Sequence, residues 1–212
     1  MGLLRSAWQI VNKHRTAYVA INLGYYGLVL VGMLYVVLID PSLQEQLLRD
    51  VGGAFTEGPL ATVSGAYLGG NVVAAAVLTF LVNLLAGSLL FITLPSLIVP
   101  FAGVLLGGYR AVLWGLLLAP TSGELALVMI PHSLTLILEG QAYVLTIFAA
   151  YVHGSSFLRP HRVGVTSHRQ GYVAGLKMTA QVYALVLLAL AAAAVYEALE
   201  VVAMVRLASA SG

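Results

Sequence analysis

The chain contains no cysteine, which excludes a disulfide framework, thiolate metal sites and a thiol nucleophile. It is almost as poor in charge. Only 10 Lys and Arg and 8 Asp and Glu occur in 212 residues, or 8%, where a soluble domain carries about one quarter. A disordered chain needs charge, and a nucleic-acid-binding chain needs a strong excess of basic residues. Neither class survives, since the formal net charge is only +2. What is present instead is apolar surface: 60% of residues are hydrophobic and the mean hydropathy is +0.96. Such a chain needs the bilayer as its solvent.

A helix crosses the hydrocarbon core with about 20 apolar residues, and five runs of that length lie between clusters of charge. They cover residues 18–39, 72–94, 96–119, 125–152 and 178–202, so the expected fold is all-α, one membrane domain built as a helical bundle. Lys and Arg collect in cytoplasmic segments. Arg5, Lys13 and Arg15 precede the first run, and the stretch 153–177 carries Arg159, Arg162, Arg169 and Lys177 with no acid. Both are expected in the cytoplasm. The connection 40–71 holds Asp40, Glu45, Asp50 and Glu57 against Arg49 and is expected outside. Five spans then leave the N-terminus inside and the C-terminus outside.

The outer connection carries a pattern of its own. Ser42 and Glu45 have capping-box spacing, and Leu43, Leu47, Val51 and Phe55 recur every four residues, which predicts a short amphipathic helix on the membrane surface. The Gly-, Ser- and Thr-rich stretch 58–70 reads as an irregular return. In the basic stretch, His153, His161 and His168 read as part of a lipid-headgroup surface, and Glu197 and Glu200 as solvated residues at the outer end of the last span.

Polar groups within hydrocarbon are costly and usually face the bundle interior. Asn83, Arg110, His132 and Glu139 are the ones that stand out, at depths between about 10 and 21 Å from the outer ends of their spans at 1.5 Å per residue. His132 and Glu139 are seven residues apart and share a helix face, with Thr135 between them and Tyr143 one turn on. The expectation is a polar cluster of Asn83, Arg110, His132, Glu139 and Tyr143, in which Arg110 pairs with Glu139 and His132 or Tyr143 bridges. Gly103 and Gly107 have the spacing of close helix packing, while Gly107-Gly108 would also suit a break in the third span, as where helices line a transport cavity. No metal-ligand pair, phosphate loop or dinucleotide fingerprint occurs, and no cofactor or metal is expected. The run Val63 to Gly69 resembles the serine motif of rhomboid proteases in part, with Thr62 where its first glycine would be.

Between residues 70 and 155 lie Phe80-Leu81-Val82-Asn83, Gly87, Leu94-Pro95, Gly107-Gly108, Pro131-His132 and Glu139-Gly140-Gln141-Ala142-Tyr143. On these residues the chain resembles the stage II sporulation protein M family of multipass membrane proteins. The resemblance implies a non-enzymatic envelope protein that assembles with other proteins, in sporulating bacteria with cell-wall-degrading proteins. A small transporter or channel using the polar cluster is the alternative, and an intramembrane hydrolase using Ser64 and His132 a third. Besides the bilayer, the expected partners are envelope proteins and a second copy of the chain, for which Ala189 and Ala191 to Ala194 offer a small-residue face.

Overall fold

The computed structural model describes residues 2–58 and 60–210. It contains eight helices and, among the described residues, no strand. They are α1 (Leu3–Lys13), α2 (Arg15–Leu38), α3 (Pro41–Thr56), α4 (Ala61–Leu68), α5 (Val72–Ile98), α6 (Ala102–Leu117), α7 (Gly123–Leu158) and α8 (His168–Ala210). Four of them, α2, α5, α7 and α8, are long and apolar enough to cross a membrane. The chain is a membrane protein built as a helical bundle. The fifth apolar helix, α6, has 16 residues and is about 24 Å long, shorter than the hydrocarbon core of about 30 Å.

The bundle is organised around α7. Every residue from 142 to 150 is buried, which fits a helix that is apolar on all sides. Phe148, Leu145 and Val152 pack against Val182, Val186 and Leu190 of α8 and against Ile10 and Val11 of α1. Tyr143, Val144 and Ile147 pack against Tyr25 and Val29 of α2 and Ile92 of α5. Lipid tails are as apolar as these side chains, so association rests on close packing rather than on escape from water. The crossing of α2 and α6 shows how close. A Cβ at Gly115 would run into the carbonyl oxygen of Val29, and one at Gly32 would stand 2.7 Å from that of Val112.

Several elements depart from the sequence reading. The basic stretch 153–177 is largely helical: α7 continues to Leu158, α8 begins at His168, and a single 3-10 turn, Pro160–Val163, lies between them. His153 is therefore buried under α8, edge-on to Tyr172 at 4.6 Å, and only His161 and His168 remain exposed. The third span is not broken at Gly107-Gly108. There α6 is continuous, and a Cβ at Gly107 would collide with Ile147. The break falls before it, where Phe101 takes a left-handed conformation with φ +67°. In α3 the cap is Asp40, whose carboxylate accepts the Leu43 amide and the Ser42 hydroxyl. Pro41 at the first helical position leaves Ser42 inside the helix rather than at its cap. The return 58–70 contains the helix α4 in place of an irregular segment.

The connectivity sorts the charges by end. The end formed by α1, the α5–α6 turn and the α7–α8 turn carries Arg5, Lys13, Arg159, Arg162 and Arg169 and no acidic residue. The opposite end, with α3, α4 and the α6–α7 turn, holds Asp40, Glu45, Asp50, Glu57 and Glu124. Gln44 of α3, 2% exposed, ties this end together by donating to the carbonyls of Leu117 and Ala119 at 2.9 and 2.8 Å. Those are carbonyls that the end of α6 leaves without helical partners.

The α2–α6 crossing is tested by glycine replacement. Gly115→Ala should lower stability in detergent by about 1–3 kcal/mol, read as a fall in the thermal unfolding midpoint. Gly108→Ala, whose Cβ would meet only Leu28 Cδ1 at 3.4 Å, should leave that midpoint nearly unchanged.

Candidate functional site

Four of the five polar residues singled out from the sequence converge. Arg110 of α6 donates from Nη2 to Glu139 Oε1 of α7 at 3.2 Å and to the Tyr143 hydroxyl at 2.6 Å. That hydroxyl in turn donates to Asn83 Oδ1 of α5 at 3.0 Å. The guanidinium also lies over two rings, 3.9 Å from the centroid of Tyr143 and 4.9 Å from that of Trp114. Three helices are thus joined by one cation, which has a carboxylate, a hydroxyl and two π-faces as partners.

Local structure makes room for this group. Glu139 and Tyr143 are four residues apart, so they project from one face of α7 one above the other. The Tyr143 ring fits because residue 87 of α5 is glycine: a Cβ there would stand 2.5 Å from the hydroxyl. From Asn83 to Thr93, α5 adopts the wider π-helical winding, which is rare and recurs at functional sites. It begins at Asn83 itself.

The fifth residue, His132, lies apart from this group. Its Nδ1 is 3.1 Å from Glu200 Oε1, and Thr135 donates to the other oxygen of that carboxylate at 2.7 Å. The polar face of α7 is therefore divided: its Glu139 and Tyr143 end meets α6 and α5, and its His132 and Thr135 end meets α8. This corrects the reading of Glu197 and Glu200 as solvated. Glu200 is 8% exposed, and Glu197 faces the bundle beside Tyr67. The apolar run ends near Val202, but the helix continues to Ala210, which places both carboxylates about 15–20 Å from its end at 1.5 Å per residue. Their spacing of three residues on an apolar helix was the available signal.

Two cavities meet at Glu139. The larger, about 440 Å³, is lined by Asn83, Arg110, Glu139, Glu197 and Tyr67, with apolar walls that include Phe55, Val63 and Phe91. A smaller one, about 50 Å³, lies between Tyr25, Trp114, His132, Thr135, Glu139 and Glu197, room enough for a water molecule. A third cavity, about 520 Å³, is apolar and lies between α2 and α6. Elsewhere α2 and α7 share a polar network that the sequence reading did not single out. Gln141 donates to Asn22 at 2.7 Å and to Tyr26 at 3.1 Å and accepts from Tyr18 at 2.9 Å.

Among the described residues no group of three or more His, Asp or Glu is arranged to hold a metal ion. Ser64, on α4, makes no hydrogen bond to His132, whose ring is held by Glu200. Ser64 and His132 therefore do not form a nucleophile–base pair. Comparison with protein families, with curated proteins and with solved structures finds no match to this chain.

The Arg110–Glu139 pair can be weighed by a mutant cycle. Arg110→Leu leaves a buried carboxylate without its partner and should cost about 3–5 kcal/mol, while the double variant with Glu139→Leu should recover most of that loss. Thermal unfolding of the four proteins in one detergent measures the coupling. Additive losses would show that the two charges do not act as a pair.

Proposed function

We propose that the chain is a small transporter or channel of the cell membrane whose solute site is the cavity at Arg110 and Glu139. The observation that carries this reading is the cavity of about 440 Å³ reaching that buried ion pair. A pair retained only for packing needs no such space, whereas a solute site needs a concave pocket with a few convergent polar groups. Irregular backbone lines it, since Asn83, Ala86, Gly87 and Phe91 belong to the π-helical segment of α5, and such backbone at membrane depth belongs where it lines a cavity. The positive-inside rule puts the basic end in the cytoplasm, with the N-terminus, and the acidic end outside, with the C-terminus. The cavity then lies beneath α3 and α4 on the outer side.

A second reading, an envelope protein of the stage II sporulation protein M kind that assembles with partner proteins, draws support from one observation. Asn83, Gly87 and Tyr143, on which the resemblance partly rests, pack on one another. Purification from the native membrane distinguishes it, because an assembly component should bring down a stoichiometric partner.

Two measurements test the leading reading. Vesicles containing the purified chain should pass at least one of a panel of small organic cations, anions and neutral solutes, and Glu139→Gln should reduce that flux at least tenfold. Passage of no member of the panel would reject the permease. Orientation can be read on the native background because the chain has no cysteine. A cysteine at Ser42 should react with an impermeant thiol reagent from outside intact cells, and one at Ser167 only after the cells are opened.

A further inference from the structure

Charge balance in the larger cavity points to the class of its ligand. Among the described residues Arg110 is the one permanent cation lining it, and that cation is engaged by Glu139 and Tyr143. Glu197 lines the same cavity from α8 and forms no ion pair among the described residues. The groups around Glu197 on every packed element are Tyr67 of α4, Arg110 of α6, Glu139 and His132 of α7, Tyr25 of α2 and Glu200 on its own helix. His132 is already paired with Glu200. Two carboxylates thus share one cation in the cavity. Glu197 has the Tyr67 hydroxyl beside it but no cation of its own, and a carboxylate among apolar walls is a natural partner for a cation.

The walls say what kind of positive group fits. Phe55, Tyr67, Phe91, Tyr109 and Trp114 surround the space, and aromatic faces attract cations while offering apolar area. The small chamber beside it joins Glu139 to Glu197 and is bordered by Tyr25, which is 3% exposed and whose hydroxyl has no hydrogen-bond partner. The chamber has room for one water molecule beside that hydroxyl.

We propose that the cavity binds an apolar organic cation, one positive charge on a hydrophobic body, in exchange for a proton on Glu197. The carboxylic acid of Glu197 gives its proton to water, and the resulting carboxylate pairs with the incoming cation; release of the cation returns the proton. This rests on the transport reading above but makes a separate claim about the ligand.

Tetraphenylphosphonium is the probe, applied to the full purified chain in detergent. Binding should be saturable, should release about one proton per cation into weakly buffered solution, and should weaken as pH is lowered. Glu197→Gln should reduce affinity at least tenfold and abolish proton release, while Glu197→Asp should keep both in part. Glu45→Gln, on an exposed residue of α3, should change neither, and thermal unfolding of each variant shows whether it is folded. Binding unchanged in folded Glu197→Gln, or binding without proton release, would overturn the proposal. A chain that passes neutral or anionic solutes in vesicles yet does not bind tetraphenylphosphonium refutes the exchange and leaves the permease. One that binds it with proton release yet passes nothing refutes the permease and leaves the site.

Discussion

A guanidinium cannot be left unpaired in hydrocarbon, and the arrangement of α5, α6 and α7 follows from how Arg110 is satisfied. Its partners come from three helices: Glu139 and Tyr143 from α7, Asn83 of α5 through the Tyr143 hydroxyl, and Trp114 from its own α6. The geometry leaves little freedom. Glu139 and Tyr143 must share a face of α7, and residue 87 must be glycine for the ring to reach Asn83. Glu200, 8% exposed, is likewise held by His132 and Thr135, which ties α7 to α8.

These polar ties sit within a bundle whose helices approach through small residues. Gly32 against Gly115 and Gly107 against Ile147 bring α6 onto α2 and α7, since lipid supplies no hydrophobic drive to press the helices together. Arg110 faces the polar cavity under α3 and α4, whereas the space left between α2 and α6 is apolar. The short outer helices are thus part of the site: Phe55 and Tyr67 line it, and Gln44 holds α3 on the end of α6.

Much of this was legible in the sequence, because length and hydropathy of the runs are direct consequences of the bilayer. The all-helical fold and the apolar helices follow from them, and the meeting of Asn83, Arg110, Glu139 and Tyr143 follows from depth and helical spacing. What was not legible has one common cause. Hydropathy marks where a helix can sit in lipid but not where it ends, so α7 and α8 extend beyond their apolar runs, and residues read as loop or surface became interior. His153 went from headgroup surface to buried ring, Glu197 from solvated residue to cavity wall, and Glu200 from solvated residue to buried partner of His132 and Thr135. His132 was placed by face alone, and a face of α7 with two neighbours divides its side chains between them. The π-helical winding of α5 has no sequence signature beyond Gly87 and Asn83 themselves.

Water reaching the polar cluster separates a solute site from a packing contact. Because the chain has no cysteine, a single cysteine at Leu113, which lines the cavity one turn from Arg110, can be exposed to a small charged methanethiosulfonate in intact vesicles. A second at Leu105, 78% exposed on the outside of the same helix and facing lipid, serves as the reference. A wet solute cavity predicts rapid modification of the cysteine at 113 and none at 105. Protection of both positions would mean that the cluster is dry, and that Arg110 and Glu139 serve only to hold the helices together.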